Sequence, residues 1–253
     1  MDVLPLRAFR DNYIWVLRSG SRVAVVDPGD ADPVIDFLER ERLSLSAILI
    51  THHHRDHTGG IAKLLEHTCV PVFGPADEPI PGVTVPLREP ASIEVPGIGQ
   101  AFGVISVPGH TLGHLAYYGA NVLLCGDTLF GCGCGRLFEG TPGQMWQSLS
   151  RLAALPGDTL VYCAHEYTEA NIDFARVVEA DNPALLERER RVGELRERNL
   201  PSVPSTLDEE RLTNPFLRAA EPAVAASASR FAGRPLDGPA EVFAALRQWK
   251  NGF

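Results

Sequence analysis

Thr51-His52-His53-His54-Arg55-Asp56-His57-Thr58-Gly59-Gly60 is the stretch on which the reading of this chain turns. Four potential metal ligands, His52, His54, Asp56 and His57, fall within six residues. The apolar run Leu45 to Ile50 leads into it, and a helical pattern, Ile61 to Leu65, follows. The cluster is therefore expected in the turn at the C-terminal end of a buried strand, where open α/β sheets place their ligand sites. On an extended backbone the alternating His52 and His54 point the same way, and the turn swings Asp56 and His57 toward a second point. Imidazoles plus a carboxylate suit zinc, and also iron or manganese. One ion does not readily use all four residues at this spacing, so two adjacent ions are the natural reading. A metal-scavenging surface tract has a similar composition, but it needs neither the strand before nor the helix after.

The pattern T-H-x-H-x-D-H-T-G-G resembles the signature of the metallo-β-lactamase superfamily. Three later segments extend the resemblance: Pro108-Gly109-His110-Thr111, Gly126-Asp127-Thr128 and Ala164-His165-Glu166. Each follows an apolar run, Phe102 to Val107, Asn121 to Cys125 and Thr159 to Cys163, and so also sits at a strand end. The resemblance implies that His52, His54 and His110 bind one metal, that Asp56, His57 and His165 bind the other, and that Asp127 bridges both. Asp56 and Asp127 are thereby the expected catalytic carboxylates. Asp27, in the strand stop Asp27-Pro28-Gly29, matches a family position behind a ligand histidine, with an ordinary turn residue as the alternative. His114 matches a position that is not usually a ligand and is left out of the metal set.

A chain of 253 residues accommodates one large domain, or one domain with a smaller appendage. The formal net charge of -9 argues against nucleic acid as the main partner, since phosphate backbones demand a basic footprint. No apolar run approaches the ~20 residues of a membrane span, and Met1-Asp2-Val3-Leu4-Pro5 carries no secretory pattern. Cys69, Cys125, Cys132, Cys134 and Cys163 are odd in number and lack a scaffold spacing, which fits a reducing cytoplasm. Cys132-Gly133-Cys134 alone is an incomplete zinc site, so free thiols in a glycine-rich turn are expected.

Along the chain, Tyr13 to Leu17 and Arg22 to Val26 read as a hairpin around Ser19-Gly20-Ser21. Asp32 to Glu41 has helical spacing, with Val34, Ile35, Phe37 and Leu38 on its apolar side. After the signature come a helix to about Glu66 and a strand at Val70 to Phe73. Pro75 to Gly103 reads as short strands and turns, Tyr117 to Cys125 as two strand pieces, Gln144 to Leu155 as a helix and Thr159 to Cys163 as a strand. Glu169 to Asp181, Pro183 to Arg198 and Pro239 to Trp249 are helical, with Pro201 to Pro204 a linker. In the second of these, Leu185, Leu186, Val192 and Leu195 are read as apolar positions and the dense charge as a solvated face. Periodicity gives only α/β; the resemblance implies an αββα sandwich. The expected division is a catalytic domain at 1–166 and a small helical C-terminal domain at 167–253.

A hydroxide bridging two cations is a strong nucleophile at neutral pH, and an ion can hold the tetrahedral oxyanion. That chemistry does not choose among amide, lactone, phosphodiester and thioester. A thiolate, from a thiol of pKa ~8.5, departs without a general acid, and no unattached acid stands out beside the ligands, although Glu166 is next to His165. The substrate comes from other residues. The resemblance sharpens to the glyoxalase II (hydroxyacylglutathione hydrolase) family over nearly the whole chain. It rests on Phe9-Arg10-Asp11-Asn12-Tyr13-Ile14-Trp15, Gly133-Cys134-Gly135-Arg136-Leu137-Phe138-Glu139-Gly140-Thr141, His165-Glu166-Tyr167-Thr168, Thr213-Asn214-Pro215-Phe216-Leu217-Arg218 and Arg247-Gln248-Trp249-Lys250.

The family implies cleavage of S-2-hydroxyacylglutathione (S-D-lactoylglutathione) to glutathione and D-lactate, the second step of methylglyoxal detoxification, by a monomer with two divalent ions, zinc foremost. Arg136, Tyr167, Arg247 and Lys250 match its glutathione contacts. Phe138 stands where the family often has tyrosine, which removes a hydrogen bond worth about 0.5–1.5 kcal/mol and is compatible with use of another thiol. Arg247 and Lys250, three apart, share a helix face. The rivals are a persulfide dioxygenase with mononuclear iron, a lactonase or β-lactamase on the same fold, and a non-enzymatic zinc buffer.

Overall fold

The computed structural model describes residues 1–253. Packing divides the chain into two units, residues 1–107 with 112–126 and residues 108–111 with 127–253.

In the first unit, β1 (Asp2–Ala8), β2 (Asn12–Ser19), β3 (Arg22–Val26), β4 (Ser44–Leu49), β5 (Val72–Pro75) and β6 (Val85–Leu87) form one sheet in that order. The first three strands are antiparallel and the rest parallel. Parallel strands need crossovers. Helix α1 (Asp32–Glu41) links β3 to β4, and α2 (Arg55–Thr58) with α3 (Ile61–His67) links β4 to β5. Alternate residues Ile14, Val16, Val23, Val25, Ile48 and Ile50 pack with Val34 and Phe37 of α1 and Ile61 and Leu64 of α3. The opposite face, including Trp15, Leu17, Ala24, Val26, Ala47 and Leu49, is equally buried. A sheet covered on both sides reads as nearly continuous apolar runs, which is why these strands were visible in the sequence.

The strands β7 (Ala91–Glu94), β8 (Ala101–Ser106), β9 (Leu115–Gly119) and β10 (Val122–Gly126) make an antiparallel meander. It is tied to the end of β4 by the Tyr117 hydroxyl, which donates to Ile50 O at 2.7 Å, and by Leu115 N, which donates to Thr51 O at 2.9 Å. Strand β1 has no counterpart in the sequence reading. It is an edge strand whose positions before Ala8 are all exposed or half-buried, and Pro5 is tolerated there because an edge leaves N–H groups unpaired.

The second unit contains the hairpin β11 (Leu129–Phe130) and β12 (Gly133–Cys134), α4 (Pro142–Ala153), β13 (Leu160–Cys163), α5 (Thr168–Val178), α6 (Pro183–Glu197), β14 (Ser205–Thr206), α7 (Leu207–Thr213), α8 (Pro222–Ala232) and α9 (Gly238–Asn251). A Thr141–Gln144 capping box with Pro142 in the first turn starts α4, and the Asn182 side chain caps α6. Two expectations need correction. In α6, Leu186 is exposed and Arg188 is buried in its place, because Glu210 and Thr213 supply its partners. The stretch Pro201 to Pro204 is not a loose linker: Ser202 and Val203 are buried, and Ser202 N donates to a Glu166 carboxylate oxygen at 2.8 Å. No helix is long and apolar enough to cross a membrane.

Candidate metal centre and substrate pocket

In the first unit the signature begins extended, and His54 stands just before α2, the single helical turn that carries Asp56 and His57. The sequence predicted a turn here; one helical turn does the same redirection. His52 Nε2 and His54 Nδ1 lie 3.1 Å apart, so the alternation puts both imidazoles on one side, as expected. His57 Nε2 lies 3.4 Å from Asp56 Oδ2.

Asp27 organises this group. Its carboxylate accepts from Thr51 N at 2.8 Å and from the Thr51 hydroxyl at 2.7 Å, and lies 3.1 Å from His57 Nδ1. A carboxylate at Nδ1 holds the proton there and leaves Nε2 as the ligand atom. Because the Thr51 hydroxyl donates to Asp27, its lone pair faces His52 Nδ1 at 3.1 Å, and the same tautomer follows for His52. Asp27 is more than a strand stop. His114 is fully buried and stacks on His52, with ring centroids 4.6 Å apart. His53 turns away to Glu78, at 3.0 Å, which also accepts from Gly113 N.

The signature glycines have a steric cause. A Cβ on Gly29 would lie 1.8 Å from Asp56 O, and one on Gly59 would lie 2.6 Å from Gly29 O. Only bare backbone lets the Asp27 turn and the metal turn touch. Gly29→Ala is expected to cost at least about 1–3 kcal/mol, the usual range for overpacking, and to lower metal content. Thermal denaturation and metal analysis of the purified variant check both.

In the second unit, His110 Nδ1 donates to Arg136 O at 2.8 Å, which again leaves Nε2 as the ligand atom. The two oxygens of Asp127 are divided between two imidazoles: Oδ2 lies 3.4 Å from His110 Nε2 and Oδ1 lies 3.4 Å from His165 Nε2. The carboxylate thus turns one oxygen toward each of two imidazoles. The His165 ring is stacked by Tyr167 at 4.7 Å and 4°.

These spacings test whether a divalent ion fits. Two donors on one tetrahedral zinc, with bonds of about 2.0–2.1 Å, stand roughly 3.3 Å apart. The four donor pairs within the two units lie at 3.1, 3.4, 3.4 and 3.4 Å. The tautomers fixed at His52, His57 and His110 leave lone pairs rather than protons at those donors. The His/Asp cluster fits a divalent metal.

Beside His110 and Asp127 the second unit opens a cavity of about 410 Å³ lined also by Arg136, Phe138, Tyr167, Arg247 and Lys250. The structure thus brings all five expected substrate contacts to one hollow. They differ in availability. Arg136, Phe138 and Tyr167 are exposed, and the Phe138 ring stands edge-on to His110 at 5.2 Å. Arg247 is buried, donates to Cys134 O at 2.9 Å and to Asn251 Oδ1 at 3.1 Å, and lies over the Phe216 ring. Lys250 Nζ donates to Ala170 O at 2.6 Å. Burial, and next the Arg247 guanidinium, push its pKa down to about 8.

Glu166 is engaged with Ser202 and with Arg196, whose Nη1 lies 3.5 Å away. Its neighbourhood to His165 in sequence therefore does not make it a free acid. All five cysteines are free. Burial pushes the Cys132 thiol up to about 12, which suits an inert core thiol. Sequence reasoning gave no role to Asn12, whose amide reaches Asp56, or to the Arg188–Glu210 pair. Asn12 lay in a family-like stretch without a chemical signal of its own.

Residues 7–165 match the family model described as the metallo-beta-lactamase superfamily, and residues 166–253 the one described as the hydroxyacylglutathione hydrolase C-terminus. The chain is 53% identical to a hydroxyacylglutathione hydrolase of Nitrosomonas eutropha, covering 100% of this chain and 99% of that one. It is 56% identical to one of Alkalilimnicola ehrlichii, covering 99% and 98%. Among solved structures, ETHE1 from Myxococcus xanthus superposes with a TM-score of 0.67 at 22% identity, covering 99% of this chain and 98% of that one, a likeness of fold alone. TTHA1623 in a di-iron-bound form matches at a TM-score of 0.54 and 28% identity over 65% of this chain and 92% of that one.

Proposed function

The chain belongs to the hydroxyacylglutathione hydrolase family, enzymes on a metallo-β-lactamase α/β fold with a helical C-terminal region, and from that membership we propose that it cleaves S-2-hydroxyacylglutathione, S-D-lactoylglutathione foremost, to glutathione and a 2-hydroxy acid. In this reading residues 1–166 carry the chemistry and 167–253 the glutathione contacts, within methylglyoxal detoxification in the cytoplasm. His52, His54 and His110 would hold one ion and Asp56, His57 and His165 the other, and Asp127, with one oxygen toward His110 and one toward His165, would bridge them. Zinc is the first choice for such donors, with iron and manganese as alternatives. Divalent ions so held supply hydroxide at neutral pH, by lowering the pKa of water to ~7, and a Lewis acid for the thioester carbonyl.

The protein's own contribution is orientation. Asp27 fixes the tautomers of His57 and, through Thr51, of His52. Arg136 does the same for His110 through its carbonyl. With Glu166 engaged elsewhere, a leaving group that departs as an anion is favoured, and a thiolate meets that need.

The observation that carries the substrate reading is the basic hollow itself, with Arg136, Arg247 and Lys250 beside His110 and Asp127 on a chain of net charge -9. A tripeptide thiol with two carboxylates complements it. Arg247 is held largely by the protein, so Lys250 and Arg136 are the more available cations. Phe138 offers a ring face in place of a phenol.

Lys250 gives the test. A substrate carboxylate needs the ammonium form, so binding raises the lysine's pKa. Affinity is therefore full below pH 8 and falls as pH rises through that value. Lys250→Met is expected to raise KM for S-lactoylglutathione about 10–100-fold, the worth of one charge-assisted hydrogen bond. Its kcat should change far less, because the lysine touches the part that does not react. The rise of KM across pH 8 should vanish with it. A wild-type KM indifferent to pH there, and unchanged in the variant, defeats the glutathione assignment.

A further inference from the structure

Asp56 is about half exposed, its side chain 42% accessible, and it stands on a helix of a single turn. Neither circumstance holds a carboxylate in one rotamer, yet an anionic metal ligand loses affinity when it must be ordered on binding. The first unit supplies a clamp. Asn12 Nδ2 donates to Asp56 Oδ2 at 3.0 Å and also faces Asp56 O at 3.4 Å, so one amide group grips side chain and backbone together. Asn12 is itself only 7% exposed and opens β2 opposite Ala8, at the closed end of the first hairpin. That end is pinned on its other side. Phe9 takes a left-handed backbone, φ 51°, and its ring packs at Gly29, where Gly29 meets the Asp56 carbonyl.

We propose that Asn12 is a positioning residue that sets the metal affinity of the Asp56–His57 side of the centre. The inference rests on the dinuclear reading above. The residue type suits the task. An amide donates to a carboxylate without neutralising it, whereas lysine or arginine at this place would repel the cation. An aspartate would add charge without supplying a donor. The bond to Oδ2 occupies one lone pair and leaves the rest of the carboxylate for coordination.

The test is a cobalt(II) titration of the metal-free full-length protein, followed by the visible absorption of each equivalent. Wild type should take up two equivalents. Asn12→Leu, of similar size but without a donor, should bind the first equivalent as wild type does and the second 10–100-fold more weakly, the usual effect of removing a group that orients a metal ligand. Asn12→Ser should shift the second equivalent in the same direction and covers the case in which the leucine variant does not fold. Wild-type strength at both equivalents in a folded variant overturns the proposal. So does equal weakening of both together with a lowered Tm, which marks a merely structural residue. A wild type that takes up only one equivalent defeats the dinuclear reading, and the clamp with it.

Discussion

Asp127→Ala is expected to lower kcat/KM by roughly 10²–10³-fold or more, the loss that follows removal of one electrostatic group from a hydrolytic site, and to weaken both metal sites rather than one. The reason is the division of its oxygens, one toward His110 Nε2 and one toward His165 Nε2, each at 3.4 Å. A residue that served one ion would leave the other intact. The variant should also separate metal binding from folding. Asp127 is 7% exposed, and a metal-bridging role places its contribution to stability in the metal-bound protein. In zinc the alanine variant should therefore gain less stability than wild type does, while in chelator-treated protein the two should differ far less. Metal analysis, steady-state kinetics and thermal melts with and without chelator read all three. A variant that is equally destabilised in both conditions would mean that Asp127 is a fold residue.

The second large effect lies away from the chemistry. Glu210 is fully buried and accepts from Arg188, from Ser205 Oγ at 2.6 Å, from Cys132 N at 2.9 Å and from Asn214 Nδ2 at 3.0 Å. Arg188, 2% exposed, also donates to Thr213 Oγ1 at 2.6 Å. Removal of one partner from such a pair strands the other charge, at a cost of about 3–5 kcal/mol. Glu210→Ala should lose that much, a large share of the roughly 5–15 kcal/mol that holds a native protein together. The loop between β11 and β12 should loosen as well. Its backbone hangs on this network through Cys132 N, and on Asn214 and Asn171, which donate to Gly133 O and Gly131 O at 2.9 Å. Phe130 and Cys134, on the two strands of the same hairpin, line the cavity, so KM should rise along with the loss of stability. Denaturant midpoints checked beside KM decide it; a shift worth under about 1 kcal/mol would show the network to be dispensable.

What the sequence disclosed and what it hid follow from the physics of each part. Strands buried on both faces announce themselves by composition, and the boundaries of α1, read as Asp32 to Glu41, match those observed. The His/Asp motifs were visible because metal chemistry restricts both residue type and spacing. Strand β1 was hidden because an edge strand need not alternate, α7 because seven residues give periodicity little length, and α8 because its buried face is Val224, Ser227 and Ala228, mostly small residues that mark no apolar stripe. Arg188 could not be told from its solvated neighbours. A buried charge is defined by its partner, and Glu210 lies 22 residues away. Asn12 was hidden for the same reason, since its meaning resides in Asp56, 44 residues on.

The most direct measurement of the central claim is to count metal ions per chain and assay S-lactoylglutathione hydrolysis on one preparation, with dissolved oxygen recorded in parallel. The account predicts two divalent ions per chain, thioester cleavage that is lost when a chelator removes them, and no oxygen uptake. One iron per chain with oxygen consumed, or two ions with the thioester left intact, would contradict it.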